Sequence, residues 1–139
     1  YMSLISSLND MSLLSSPSVV ENKNHDKDSC TGIGSGNVET LVEHNAGANR
    51  QLLAIGSDGV LYQIDTGSAV SRKTGLSNGR FQTTEFNGLT IFVNGTDTPF
   101  SWNGSSASNL SITLSDSASA STLKGVTTYK NRLYYFIAQ

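Results

Sequence analysis

The fold is decided by residues 84–95, TEFNGLTIFVNG. In this stretch an aromatic strand end leads into Asn87-Gly88, and a second apolar strand follows the turn. Asn-Gly is the strongest short signal for a β-hairpin, because both central residues of a type I′ turn need a positive φ angle. The stretch therefore predicts two antiparallel strands joined by a two-residue turn.

The same order of strand, turn and strand recurs along the chain. Residues 127–137, TTYKNRLYYFI, repeat it 43 residues downstream, around Lys130-Asn131. Residues 50–65 are a looser copy around Ser57-Asp58-Gly59, and matching Ile55 to Val93 gives a spacing of 38 residues. Repeats of about 40 residues made only of short strands are typical of β-propeller blades. We therefore predict a mainly β fold of antiparallel hairpin repeats with a partial propeller-like architecture.

The composition favours the same fold class. Charged residues make up 14% of the chain, and Ser and Thr supply 35 of its 139 residues. An ordinary domain has about 25% charged residues. Low charge with abundant Ser, Thr, Gly and Asn suits strands joined by tight turns and gives helices little support.

The chain is expected to divide into two parts. Residues 1–31 form an N-terminal arm, partly irregular, in which Leu4, Leu8 and Met11 have the spacing of one short helix. Residues 32–139 form the propeller-like repeats, which we expect to continue beyond the chain. Within them, alternation of Leu110, Ile112 and Leu114 with polar residues predicts a strand inside the Ser-rich stretch 105–122. Pro99 is expected to open a short strand, where its missing N–H is tolerated.

Charge and hydropathy narrow the function classes. The net charge is −2, and the basic residues beyond residue 40 are scattered between turns, whereas nucleic-acid binders usually carry a basic stripe. No stretch of 18 apolar residues predicts a membrane span. Residues 1–18 lack a basic start and are interrupted by Asp10, so a signal peptide is not expected. Cys30 is the only cysteine, which fits assembly in a reducing cytoplasm.

We predict no catalytic residue and no enzymatic activity. Ser57-Asp58-Gly59 with Tyr62 is similar to the Asp-box turn of sialidase blades, but Asp-Gly is also simply a good hairpin turn, which is the favoured interpretation. A glycosidase needs two carboxylates placed across one bond. The carboxylates of the repeats show no such pairing, and Asp97 is expected to form an Asx-type turn. The remaining carboxylates considered are Glu39, Glu43, Asp58, Asp65, Glu85 and Asp116.

We also predict no metal and no cofactor. His25, His44 and Cys30 are too few and too far apart for a zinc site, and residues 26–28 lack the ligand pattern of a calcium loop. The glycine-rich residues 32–36 are not followed by the Lys-Ser/Thr of a phosphate loop, so a flexible lead into the first strand is the better interpretation.

The aromatic residues are predicted to fill the cores of the blades. Trp102 is expected to cap a blade edge, and only the region from Tyr129 to Tyr135, around Lys130 and Arg132, comes near a stacking platform for sugars or bases. The predicted core aromatics are Phe86, Phe92, Phe100, Tyr129, Tyr135 and Phe136.

A family resemblance extends over about residues 31–139. Residues 31–41 followed by 52–54, the run 86–104 with its Asn-Gly pairs, and residues 124–136 are similar to structural proteins of tailed-bacteriophage virions. The chain resembles the tail nozzle group, of the tail tubular protein B and DNA-stabilisation type, in short-tailed phages. Members of that group are longer, and residues 1–30 lack the Pro- and Asn-rich opening that the group usually has.

The resemblance implies a structural virion protein of the phage tail, assembled in the host cytoplasm. It implies a homo-oligomeric ring, by analogy with the family a hexamer, that docks on a connector or adaptor ring. Genomic DNA passes through such a ring during ejection without sequence-specific binding. The alternative is a carbohydrate-binding β-propeller or tail adhesin, and the third class is a propeller hydrolase with convergent carboxylates.

Overall fold

The structure, a computed structural model, describes residues 30–46, 49–65 and 67–137. In these residues the chain forms ten strands and a single turn of 3-10 helix at Ala120–Thr122. The strands in chain order are β1 (Val38–Ala46), β2 (Asn49–Gly56), β3 (Leu61–Gln63), β4 (Val70–Lys73), β5 (Gln82–Phe86), β6 (Leu89–Val93), β7 (Phe100–Trp102), β8 (Ala107–Asn109), β9 (Leu123–Tyr129) and β10 (Arg132–Ile137). The helix predicted at Leu4, Leu8 and Met11 lies outside the described residues.

The strands form three antiparallel sheets that follow one another along the chain. The first sheet has the order β1-β2-β3-β4, the second β5-β6-β7-β8, and the third pairs β9 with β10. Each strand pairs with its neighbour in sequence, as in the up-and-down sheets of a propeller blade. The prediction of a mainly β fold of antiparallel hairpin repeats is confirmed. Within the described residues the three sheets do not close into a ring.

All three predicted turns are confirmed. Asn87 and Gly88 have φ angles of 49° and 75°, and Lys130 and Asn131 have 45° and 57°, as a two-residue hairpin turn with the twist of its strands requires. Ser57-Asp58-Gly59 connects β2 to β3, with Gly59 at a φ of 72°. The left-handed backbone is readily accessible to Asn and Gly, so Lys130, a long side chain with a φ of 45°, is the exception among these turn residues.

The alignment of the first repeat needs one correction. Residues 50–65 contain β2 and β3, so they correspond to β6 and β7 and not to the hairpin 84–95. Ile55 pairs with Leu61 in the first sheet as Phe92 pairs with Phe100 in the second. Matching Ile55 to Val93 therefore aligns β2 with β6, the second strands of their sheets. In the first sheet, the copy of the β5–β6 hairpin is the β1–β2 hairpin.

A strand does lie inside residues 105–122, but it is β8 (Ala107–Asn109), and its predicted placement on Leu110, Ile112 and Leu114 is wrong. These residues are irregular, and their side chains pack partly buried against the second and third sheets. Their alternation reflects one-sided burial of a connecting segment without ladder hydrogen bonds. Pro99 immediately precedes β7, as predicted. The positions of β4 and β8 were not predictable from local pattern, because both are short, outermost strands with mostly exposed residues and no apolar alternation.

The sheets stack face to face. We call the face of a sheet that points towards the following sheet its forward face, and the opposite face its rear face. The forward face of the first sheet packs on the rear face of the second around Leu53, Ile55 and Leu61. The forward face of the second sheet packs in the same way on the rear face of the third, around Ile91, Val93 and Val126. The two cores therefore lie between sheets and not within one.

Aromatic rings fill the first of these cores. Phe92 and Phe100 are fully buried and stacked, with ring centroids 4.6 Å apart. Phe81 meets Phe100 edge-on at 5.5 Å, a favourable geometry for aromatic pairs. Trp102 is wholly buried beside them, so the prediction that it caps a blade edge is wrong. Its ring belongs to the core because its strand, β7, lies inside the second sheet.

Candidate assembly surfaces

The first strands of successive sheets lie side by side and are joined by a repeated contact. The Asn45 backbone N–H of β1 donates to Oε1 of Glu85 in β5 at 2.6 Å. The hydroxyl of Thr128 in β9 donates to the backbone carbonyl of Glu85 at 2.7 Å. These three residues are equivalent, because each stands one residue before the strand end at its hairpin turn. In both contacts, the side chain on the later strand, Glu85 or Thr128, is hydrogen-bonded to the backbone of the first strand of the preceding sheet.

A second contact crosses the forward face of the second sheet. Oγ1 of Thr84 and Oγ1 of Thr128 are hydrogen-bonded at 3.0 Å. Thr84 lies on the forward face of its sheet, since it pairs with Ile91, and Thr128 lies on the rear face of the next. We call these contacts between first strands, at Asn45, Thr84, Glu85 and Thr128, the first-strand ladder.

Polar groups are buried between the first and second sheets. Nδ1 of His44 and Oγ1 of Thr90 are hydrogen-bonded at 2.8 Å, and the His44 Nε2 has no hydrogen-bond partner among the described residues. The Trp102 indole N–H donates to Oε1 of Gln51 at 2.8 Å, and the Gln51 amide donates to the Gly104 carbonyl. These bonds fix the angle between the sheets, because a buried polar group without its partner is destabilising.

The segment that leads from the first sheet to β5 is held by β1. The Gly79 N–H donates to Oε2 of Glu39 at 2.8 Å, and the Arg80 Nε is 3.3 Å from Oε1 of the same carboxylate. The Thr40 hydroxyl donates to the Gly79 carbonyl and accepts from the Phe81 N–H. Glu39 is therefore a structural residue of the connection between the sheets and not an isolated surface carboxylate.

The forward face of the third sheet is uncovered in the described structure. Tyr129, Tyr134 and Phe136 lie on it, since Tyr129 pairs with Arg132 and the alternate residues of β10 share that face. Tyr129 is 59% exposed and Phe136 is 56% exposed. The two tyrosine rings are 6.4 Å apart, and Nζ of Lys130 lies 5.4 Å from the centre of the Tyr129 ring. This face is aromatic and is bordered by two basic side chains, those of Lys130 and Arg132.

The rear face of the first sheet is only partly uncovered, because Ala54 and Tyr62, which lie on it, are buried and the Gly34 N–H donates to the Tyr62 hydroxyl. Leu41 pairs with the buried Ala54 and is 61% exposed, and Leu52 pairs with Glu43 and is 37% exposed. Glu43 forms an exposed ion pair with Arg50 at 3.4 Å. The stack of the three described sheets thus ends in an uncovered aromatic face on one side and in a partly covered, mixed polar and apolar face on the other.

Asp58 forms a turn and contacts neighbouring backbone, as expected for the favoured interpretation. Its carboxylate accepts from the Val60 N–H at 3.2 Å and from the Tyr62 hydroxyl at 2.7 Å, and that hydroxyl accepts from the Gly34 N–H. The hydrogen bond to Asp58, together with burial, raises the pKa of Tyr62. A β-carbon at Gly34 would overlap Asp58 and Tyr62, so the glycine-rich lead into β1 serves close packing on this turn and is not simply flexible.

Asp97 is not the Asx-turn residue that the sequence suggested. The Asn94 side chain makes that turn, because its Oδ1 accepts from the Thr96 and Asp97 N–H groups. The Asp97 carboxylate accepts from the N–H and the hydroxyl of Ser77, at 2.9 and 2.6 Å, and from the Asn94 side-chain amide. It thereby fastens the segment before β5 to the turn between β6 and β7.

These contacts give Asp97 a defined role in acid stability. Partial burial raises the pKa of its carboxyl, but the hydrogen bonds from Ser77 and Asn94 outweigh it, so the pKa lies below its ordinary value of 3.8. The folded state therefore stabilises the ionised carboxylate of Asp97. Its contribution to the free energy of unfolding is complete above pH 3.8 and is lost as the pH falls through the lowered pKa. We expect Asp97→Asn to reduce the free energy of unfolding at pH 7 by about 1–3 kcal/mol.

The measurement is urea unfolding of Asp97→Asn and the parent protein between pH 2 and pH 7. The difference between the two proteins should shrink below pH 3.8, where the parent loses the same ionised group. Asp116→Asn is the matched control, because Asp116 is exposed and accepts one hydrogen bond, from the Ala118 N–H. A constant difference across the whole pH range would contradict the assignment.

A small polar pocket lies between β4 and the outer strands of the second sheet. Its volume is about 170 Å³, and Lys73, Asp97 and Asn109 line it. The Lys73 ammonium donates to the Asn109 side chain at 3.0 Å and lies 5.3 Å from the centre of the Phe100 ring. The charged groups of this pocket already have partners within the chain, so it is a seam between the sheets.

The other residues considered as metal ligands do not come together in the described structure. His44 is buried between sheets, Cys30 is half-buried at the start of the described chain, and His25 and residues 26–28 lie outside the described residues. Across residues 30–46, 49–65 and 67–137, no three His, Cys, Asp or Glu side chains are grouped so that they could hold a metal ion. That metals, cofactors and catalysis are absent stays a prediction. In the same residues no helix has the length and apolar character needed to cross a membrane.

The predicted core aromatics are partly confirmed. Phe92 and Phe100 are buried, and Phe86 and Tyr135 are half-buried against the second core. Tyr129 and Phe136 are not in a core, because they lie on the forward face of the last described sheet. Phe81 was missed, although an aromatic residue just before a predicted strand was a usable signal.

No protein-family model, curated protein or solved structure matches this chain. The resemblance to tail nozzle proteins therefore rests on the sequence motifs alone.

Proposed function

We propose that this protein is a non-enzymatic structural subunit whose sheets are blades of a propeller-like ring. The observation that carries the proposal is the first-strand ladder together with the stacking of forward faces on rear faces, which occurs twice in succession. In a propeller the first strand of every blade stands next to the central channel, and each blade is covered by its neighbours. The ladder residues Asn45, Glu85 and Thr128 accordingly mark the channel side of the sheets.

The ring is proposed to be part of a phage tail nozzle. Support comes from the resemblance of residues 31–139 to that group and from the charges of the strands assigned to the channel. β1 and β5 contain no Lys or Arg, and β9 contains Lys124 alone. Dense basic residues would hold DNA by releasing its counterions, so a passage with few of them lets genomic DNA slide. The ring docks on a connector or adaptor, and a hexamer is the copy number that the resemblance implies.

One observation favours a carbohydrate-binding propeller as a second candidate. Tyr129 and Tyr134 form an exposed pair of rings beside Lys130, the arrangement on which sugar rings stack. The second sheet does not repeat it, because Phe86 and Ile91, at the equivalent positions, pack against the third sheet. The Tyr129–Tyr134 pair is therefore better explained as part of an uncovered sheet face than as a binding site that every blade repeats.

The test is the composition of purified particles. Mass spectrometry of virions from a culture that produces the protein should find its peptides at a fixed ratio to the connector protein. Cryo-electron microscopy of the particles should place the chain in the tail ring. If the chain is missing from particles and binds a soluble glycan with micromolar affinity, the structural function is wrong and the second candidate replaces it. Tyr129→Ala and Tyr134→Ala should then abolish that binding.

A further inference from the structure

We propose that Asn87 is a site of spontaneous chemical modification, at which the side-chain amide is converted to aspartate and isoaspartate. This site is independent of the proposed function, because it depends only on the turn between β5 and β6 and on local hydrogen bonds. The sequence contains four Asn-Gly pairs, all within the described residues. Hydrogen bonds restrain three of the pairs, and Asn87-Gly88 is the unrestrained one.

The reaction joins the side chain of an asparagine to the backbone nitrogen that follows it. The deprotonated backbone nitrogen of Gly88 attacks Cγ of Asn87, the bond from Cγ to the amide nitrogen breaks, and ammonia leaves. One water molecule then opens the five-membered succinimide at either carbonyl, which gives aspartate or isoaspartate. Water enters and ammonia leaves, so nothing is oxidised or reduced. Glycine favours the attack because no β-carbon shields its nitrogen.

Both groups that must meet are accessible at the β5–β6 turn. Asn87 and Gly88 are exposed, and among the described residues neither the Asn87 side chain nor the Gly88 N–H has a hydrogen-bond partner. Apart from its chain neighbours, no atom lies within 4 Å of the position of a β-carbon on Gly88. The Asn87 amide can therefore turn towards the Gly88 nitrogen without breaking a hydrogen bond.

Two other pairs are restrained through the asparagine side chain. Oδ1 of Asn94 accepts from the Thr96 and Asp97 N–H groups, and its amide donates to the Asp97 carboxylate at 2.6 Å. Oδ1 of Asn103 accepts from the backbone N–H groups two and three residues further along, at 2.9 and 2.8 Å. Each side chain must break at least two hydrogen bonds before its amide can turn, which should slow the reaction about tenfold or more.

The fourth pair, Asn78-Gly79, is restrained through the attacking nitrogen. The Gly79 N–H donates to Oε2 of Glu39 at 2.8 Å, and Gly79 is buried. Oδ1 of Asn78 also accepts from the Arg80 N–H at 2.9 Å. The Gly79 nitrogen must lose its proton before it attacks, and beside the Glu39 carboxylate this loss would bring two negative charges into contact.

The modification changes the hairpin in two ways. Both products add a negative charge two residues from Glu85, whose carboxylate accepts from the Asn45 N–H in the first-strand ladder. Isoaspartate also adds one methylene to the main chain between Phe86 and Leu89, which pair across the turn. Because the length of a turn fixes the register of its strands, the isoaspartate form should unfold at a lower urea concentration than the aspartate form.

The test is incubation of the folded protein at pH 8 and 37 °C, followed by peptide mass spectrometry at timed intervals. Asn87 should be converted at least about ten times faster than Asn78, Asn94 and Asn103. In guanidinium chloride, where the fold is lost, all four pairs should react at similar rates. Asn131 is the matched control in the folded protein, because it is exposed in a hairpin turn but is not followed by glycine. It should stay unmodified.

A second measurement counts isoaspartate in the intact protein, with an isoaspartyl methyltransferase and a labelled methyl donor as the probe. Asn87→Gln should remove the signal of the folded protein, because glutamine forms the equivalent ring much more slowly, and Asn131→Gln should leave the signal unchanged. If Asn87→Gln unfolds the chain, the other three pairs react and the signal rises, and the peptide map of the parent protein then decides. Equal rates at the four pairs in the folded parent, or an unmodified Asn87 while the denatured protein reacts, would overturn the inference.

Discussion

Replacing Phe92 with alanine will reduce the free energy of unfolding by about 3–5 kcal/mol, the range for a buried aromatic side chain. Phe92 has no exposed surface, stacks on Phe100 at 4.6 Å and meets Phe81 edge-on at 6.2 Å. Its removal leaves a cavity between the first and second sheets that the surrounding backbone, held by ladder hydrogen bonds, cannot close. Because native domains are stable by only about 5–15 kcal/mol, this variant should be close to unfolded.

The measurement is urea unfolding followed by the fluorescence of Trp102, the only tryptophan, which lies in the same core. The matched control is Phe136→Ala, because Phe136 is the same residue type but is 56% exposed. Its loss should change the stability of a single copy by less than about 1 kcal/mol. All proteins are compared at one low concentration, because association would add to the stability of the parent. Equal losses in the two variants would show that the core does not lie between the first two sheets.

The Gly59→Ala substitution will destabilise the protein by about 2–5 kcal/mol, combining a left-handed backbone with steric overlap. Gly59 has a φ of 72°, and a β-carbon at this position would overlap the backbone carbonyl of Leu76. The same glycine accepts a hydrogen bond from the Leu76 N–H at 3.0 Å. The turn between β2 and β3 is therefore fixed against the segment that leads to the second sheet, and neither backbone can move without losing that bond.

Gly88→Ala is the control that separates the two effects. Gly88 has a φ of 75°, almost that of Gly59, but no atom lies within 4 Å of its missing β-carbon. Its substitution should have only the backbone effect, about 1–2 kcal/mol. The difference between the two variants in urea unfolding measures the overlap with Leu76. If Gly88→Ala is as damaging as Gly59→Ala, the close approach of the turn to Leu76 is wrong.

The turns were readable from the sequence, because their chemistry is local. Asn87, Gly88 and Asn131 accept positive φ angles with little dependence on their surroundings, and β-branched and aromatic residues on both sides favour strands. The outer strand β8 was not readable, since Ala107–Asn109 carries no apolar alternation and is held by its pairing with β7. The alternation of Leu110, Ile112 and Leu114 predicted a strand where none forms. Burial of one side of an irregular segment gives the same sequence pattern as a strand, even though no neighbouring strand pairs with it.

The residues of the candidate surfaces show the same division. The sequence marked Tyr129 and Phe136 as aromatic residues of a hairpin, but their exposure depends on which face of β10 the third sheet turns towards the second. Nothing in the sequence pattern predicted that Glu85 and Thr128 link neighbouring sheets. They do so because the first strands of successive sheets lie side by side. Contacts between residues about 40 positions apart have no signature in a local pattern.

The sequence by itself determined that this protein is mainly β, with antiparallel hairpins at fixed turns and a repeat of about 40 residues. Local backbone preferences and side-chain periodicity are sufficient for that, since they act within a few residues. Only the tertiary structure decided which sheet faces pack together, that Asp97 holds Ser77, and that Trp102 is in the core. Those outcomes depend on how the sheets twist and stack, and each of them is fixed by contacts between distant parts of the chain.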